Sequence, residues 1–89
     1  MPKFVIEREM PEAGKLSAQQ LREASRKSAQ VMEEMGRIHW VQSYVTDDKI
    51  YCVYVAPDEH AIREHARQSG LPANRISRIR SLADAATAD

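Results

Sequence analysis

The sequence predicts one small α+β domain with the element order strand, helix, strand, strand, helix, strand. Three observations predict it. Short runs of β-branched and aromatic residues alternate in polarity at Phe4–Glu9, Ile38–Val45 and Lys49–Val55. Two segments repeat apolar residues at helical spacing. Each of those segments opens on a capping residue and closes on a glycine.

The elements follow in order. In the first strand Phe4 and Ile6 point one way, while Val5, Glu7 and Glu9 point the other. Pro11-Glu12-Ala13-Gly14 reads as a turn. Ser17 caps the first helix and Gln20 completes a capping box, with Leu16 and Leu21 placed for a hydrophobic staple. Leu21, Ala24, Ser28, Val31 and Met35 form its inner stripe and Gly36 stops it. Asp47-Asp48 sits between two strand-like runs, so those runs form a hairpin. Asp58 caps the second helix, and the acids Asp58 and Glu59 suit the positive end of its dipole. Ala61, Ile62, His65, Ala66 and Ser69 make its inner face. Gly70 ends it and Pro72 prevents its resumption. Arg75 to Leu82 supplies a last strand. Residues 1–82 thus form one domain, and 83–89 are a small-residue tail expected to fray. This is the split βαβ plan of ferredoxin-like domains, with an antiparallel sheet and both helices on one face.

Composition narrows the function classes. Thirteen basic and thirteen acidic side chains cancel in 89 residues. Nucleic-acid binding, which needs a positive surplus on one face, is not expected. No polybasic cluster points to a membrane surface, and no apolar run reaches spanning length. The N-terminus turns polar too soon for a signal peptide, so a cytoplasmic location is expected. The lone Cys52 excludes an intrachain disulfide and fits a reducing compartment. No Gly-rich phosphate loop or Ser-His-Asp pattern is present, and no organic cofactor is expected. Whether the chain catalyses a reaction is left open.

Alternation places Phe4, Ile6, Val41, Val45, Val53 and Val55 under the helices. It leaves Val5, Glu7, Trp40, Gln42, Tyr44, Ile50, Cys52 and Tyr54 on the opposite face. A face holding Trp40, Ile50, Cys52 and two tyrosines is expected to be covered by a second copy, giving a homodimeric α+β barrel. Its interior would be a small-molecule pocket candidate lined by Glu7, Trp40, Tyr44, Cys52 and Tyr54, with Arg78 as a partner for Glu7. A small cofactor-free monooxygenase or isomerase would use such a chamber. Cys52 is there either a buried inert thiol or a ligand or nucleophile.

The histidines offer a different chemistry. His60 and Glu64 stand at i and i+4 on the outer face of the second helix. That spacing makes a two-point chelate for nickel, copper or zinc, which a neighbouring subunit or water would have to complete. The plainer reading is a solvated helix face. His39, beside Trp40, is a further metal candidate or a structural residue. His65 faces inward and reads first as a core histidine. The spacing of the three matches no strong zinc pattern.

The run Ser43-Tyr44-Val45-Thr46-Asp47-Asp48-Lys49-Ile50-Tyr51-Cys52-Val53-Tyr54 is the most specific feature. Together with Phe4-Val5-Ile6-Glu7-Arg8-Glu9, Ala56-Pro57, Arg63-Glu64-His65-Ala66 and Gly70-Leu71-Pro72-Ala73-Asn74, it resembles a small bacterial family of ferredoxin-like domains of unknown function that includes a nickel-binding protein. The likeness runs from Pro2 to about Leu82. It implies a ferredoxin-like fold, a homodimer, and nickel held at the dimer surface for sequestration or homeostasis, with no catalytic role.

Overall fold

The computed structural model describes residues 1–89. Four strands form one antiparallel sheet: β1 (Lys3–Glu9), β2 (His39–Val45), β3 (Lys49–Val55) and β4 (Arg75–Arg78), in the spatial order β2-β3-β1-β4. Helix α1 (Ala18–Met35) joins β1 to β2, and α2 (Glu59–Ser69) joins β3 to β4. β1 and β2 are both antiparallel to the β3 strand between them, so they run parallel to each other. This is the ferredoxin-like split βαβ topology.

Local chemistry sets the helix ends. The Ser17 Oγ accepts from the Gln20 N–H at 3.0 Å, and the Gln20 side chain accepts from the Ser17 N–H at 2.9 Å. That reciprocal pair satisfies two donors that a helix start leaves free. Asp58 Oδ1 accepts from the Ala61 N–H at 2.8 Å. Gly70 closes α2 at φ 75°, a left-handed conformation that costs glycine little.

Both helices cover the same face. Phe4 and Ile6 of β1, Cys52 and Tyr54 of β3, Met32 of α1 and Ile62 of α2 belong to one buried cluster. Here the structure corrects the expected sorting of faces. In register Phe4 lies opposite Tyr54, Ile6 opposite Cys52 and Arg8 opposite Ile50. Directly paired residues share a face, so Tyr54, Cys52 and Ile50 lie under the helices, and Val53 and Val55 lie on the open face. A bulge between Trp40 and Gln42 inserts Val41 into β2. Trp40 and Ser43 therefore both turn toward the helices, because they pair with Tyr54 and Cys52.

The last strand stops at Arg78 rather than reaching Leu82. The tail carries one short 3-10 turn, Ala85–Ala88, capped by the Asp84 carboxylate, and all of its residues are exposed. No helix is long and apolar enough to cross a membrane.

Candidate functional site

β1 carries Phe4, Ile6 and Arg8 on one face by simple alternation, so Arg8 enters the interior alongside two core residues. It is fully buried. Its Nη1 donates to the Pro72 carbonyl at 2.6 Å and its Nη2 to the Tyr54 hydroxyl at 3.1 Å. Its Nε donates to Cys52 Sγ at 3.4 Å. None of the three acceptors is a carboxylate. The four ion pairs of the molecule lie among surface side chains, and none includes Arg8. Guanidinium remains charged at any working pH. The interior therefore holds a guanidinium with no Asp or Glu beside it.

Tyr54 is the hub of this interior. Its ring meets Trp40 edge-on at 6.5 Å and His65 edge-on at 5.3 Å, and the Arg8 guanidinium carbon lies 5.8 Å from its centroid. Burial pushes its phenol above the ordinary value, and the neighbouring Cys52 adds to the shift. His65, also fully buried, points Nε2 at the Ser28 carbonyl at 3.2 Å. A carbonyl only accepts, so Nε2 carries the ring proton. Nδ1 is then a bare acceptor, and it has no partner. Burial holds the imidazole below its ordinary pKa, and the charge of Arg8 lowers it further.

A cavity of about 100 Å³ opens between α1 and the sheet beside this network. Arg8, Trp40, Cys52 and Tyr54 line its floor, and Leu16 and Leu21 line its helix side. The pocket candidates Glu7, Trp40, Tyr44, Cys52 and Tyr54 are therefore not one group. Trp40, Cys52 and Tyr54 border this cavity, whereas Glu7 and Tyr44 lie on the open face of the sheet. Glu7 stands opposite Tyr51 on β3 and Arg75 on β4, so Arg75, not Arg78, is its cross-strand neighbour. The open face also presents Val5, Val53 and Val55, all half-buried, and Tyr44, 54% exposed.

The metal candidates sit elsewhere. His60 and Glu64 are one turn apart on α2, and His60 is exposed. The Glu64 carboxylate is already engaged: it accepts from the Arg67 guanidinium through both oxygens and from Gln68 Nε2 at 3.0 Å. These bonds, Arg67 first, hold its pKa at about 2. It is thus ionised, as a ligand must be, but not vacant. His39 is exposed at the start of β2, opposite Val55. Nowhere do three His, Cys, Asp or Glu side chains gather around a point that could hold a metal ion. One chain alone does not fit a nickel centre.

Sequence reasoning missed Arg8. The signal was present, since Arg8 follows Phe4 and Ile6 at the same parity.

The element order and sheet topology define a small ferredoxin-like α+β domain. A family model described as nickel responsive protein, SCO4226-like, matches residues 4–79. The chain belongs to the SCO4226-like family of nickel responsive proteins. Among solved structures it is similar to SCO4226 from Streptomyces coelicolor A3(2), with a TM-score of 0.78 and 20% identity over 91% of this chain and 99% of that one. That likeness shows the fold. No curated protein matches the sequence.

Proposed function

We propose that the protein is a non-catalytic divalent-metal-binding protein that takes nickel and completes its site with a second copy of itself. The observation that supports this reading is the placement of His60 and Glu64 one turn apart on α2, in a chain of the nickel responsive family. Imidazole with carboxylate suits nickel, copper and zinc better than magnesium. One chain gathers no third donor, so a second copy, water, or both must supply the rest. His39 is the other exposed imidazole available for a shared site.

The surface supports a second copy. The chain exposes 6131 Å², against about 5,300 Å² for a compact monomer of this mass. The exposed tail contributes part of the excess. The open sheet face, with its valines and tyrosines, contributes apolar surface of the kind that partners cover.

Isothermal titration of the metal-free protein with nickel, paired with light scattering, tests the reading. Micromolar or tighter binding by a dimer is expected. His60→Ala should lower the nickel stoichiometry. Arg67→Ala releases the Glu64 carboxylate from the guanidinium, leaving only Gln68 on one oxygen, and should tighten binding severalfold. Stoichiometry and affinity that ignore both substitutions would remove this chelate from the site. The absence of nickel binding altogether would end the metal reading.

A further inference from the structure

The cavity between α1 and the sheet is not used by the metal reading, and the chemistry of its walls selects an occupant. We propose that it binds a small neutral apolar molecule, of the size of a single aromatic ring, between the first turns of α1 and the sheet. The proposal is independent of nickel.

Three observations carry it. The first is the lining. Leu16, Leu21, Trp40, Val45 and Ile50 make most of the walls. The polar residues at the border spend their polar atoms on protein partners. Arg8 has no accessible surface and directs its donors to Pro72, Tyr54 and Cys52. The Trp40 N–H donates to Ser43 Oγ at 2.8 Å, and Ser28 Oγ lies 3.3 Å from His65 Nε2. The surface left to a ligand is almost wholly apolar. A charged or hydrogen-bonding group would give up its water there and gain no partner, whereas a hydrocarbon has none to give up.

The second is the helix above it. Leu21, Ala24 and Ser28 follow one another along the inner stripe of α1. Ser28, Val31 and Met32 are buried, but Leu21 and Ala24 are exposed, although both line the cavity. The later turns of the helix pack down, and its first turns stand over open space. Protein interiors hold few voids larger than a water molecule. An unfilled space under an apolar stripe denies Leu21 the contacts that its position offers, and a ligand supplies them.

The third is size and access. About 100 Å³ admits a group near the size of one aromatic ring, and not a long acyl chain. Apolar cavities of this order stay dry and take up molecules such as benzene. Leu21 on α1 and Val45 on the edge strand β2 both line the cavity and are 37% and 40% exposed, so it reaches the surface through an apolar mouth.

Trp40 is the single tryptophan and lines the cavity. Its side-chain N–H signal in a nitrogen-15 NMR spectrum is therefore a local reporter. Metal-free full-length protein is titrated with toluene, phenol and benzoate, and its mass is followed by light scattering. The expected result is a saturable shift of the indole signal with toluene, at least about tenfold weaker binding of phenol, no saturable shift with benzoate, and an unchanged mass. Ala24→Phe places a ring in the cavity from an exposed position of α1 and should abolish toluene binding. Val45→Phe, which narrows the mouth from the edge strand, should weaken it at least tenfold and serves where the first variant does not fold. Equal affinity for toluene and phenol would overturn the proposal. So would a saturable shift with benzoate, or wild-type toluene affinity in a folded form of either variant. No indole shift up to the solubility limit of toluene would also overturn it. A fall in mass on adding toluene would make a second copy's side chain the occupant, and the proposal would fall with it.

Discussion

At the scale of single residues, Arg8 and His65 are both fully buried and resolve that burial in opposite ways. Arg8 keeps its charge because guanidinium cannot release it. His65 gives up its charge. Its imidazole is neutral because burial, and then Arg8, disfavour a second cation. This sets a pH dependence with a definite sign. The folded pKa of His65 lies below the unfolded value near 6.5. Above that value neither state is protonated and the contribution to stability is complete. As pH falls below it, the unfolded chain takes up a proton that the folded chain refuses, so stability declines until the lower folded pKa is reached. Glu64 acts in a separate, more acidic window, between its ordinary 4.5 and about 2. Melting temperature should therefore be flat above pH 7 and fall on the way to pH 5. His65→Gln keeps a donor for the Ser28 carbonyl and has no titrating ring, so its melting temperature should lose that slope. A variant that retains the full slope would show that His65 is not its source.

At the scale of elements, the helices were legible in the sequence and the faces of the sheet were not. Ser17 with Gln20, Asp58, Gly36 and Gly70 mark the helix ends by local chemistry, and the structure has them in those roles. The faces depend on register, which is not local. In β3 both sets, Ile50-Cys52-Tyr54 and Tyr51-Val53-Val55, are apolar, so alternation offers two equally good solutions. Pairing with Phe4 and Ile6 selects the first. In β2 the bulge at Val41 breaks the count between Trp40 and Gln42, so alternation carried across it fails. The same blindness hid the candidate site, since an arginine on a strand is ordinarily placed in solvent. One contact between elements was also invisible. Gly14, in the turn before α1, donates its N–H to the Asp47 carbonyl at the hairpin tip at 2.9 Å. A Cβ on Gly14 would lie 2.7 Å from Asp47 Cα, against backbone that cannot rotate away. Gly14→Ala should push the hairpin off the turn at a cost of about 1–3 kcal/mol. In a domain of this size that is a fall in melting temperature of at least about 4 °C. An unchanged melting temperature would mean that the hairpin tip yields freely.

At the scale of the whole molecule, 15 of 89 residues are buried, all from the side of the sheet that the helices cover or its margins. So thin a core leaves little stability to spare. The open face, with Val5, Val53 and Val55 half-buried and Tyr44 exposed, is a surface on which more burial could be gained. Val53 lies near its centre, paired with Val5 on one side and Gln42 on the other. A carboxylate placed there would be desolvated in any assembly that uses this face, yet would remain half in water on an isolated chain. On the proposed dimer, Val53→Asp should therefore halve the mass seen by light scattering at micromolar concentration. It should also make the melting temperature of the variant independent of concentration, whereas that of a wild-type dimer should rise with it. The nickel stoichiometry per chain adds a second readout. If the metal site is shared between copies through this face, the variant loses metal along with its partner. A monomer that still binds nickel fully would place the site within one chain and its waters. A variant that keeps the wild-type mass would show that the open face is not where copies meet.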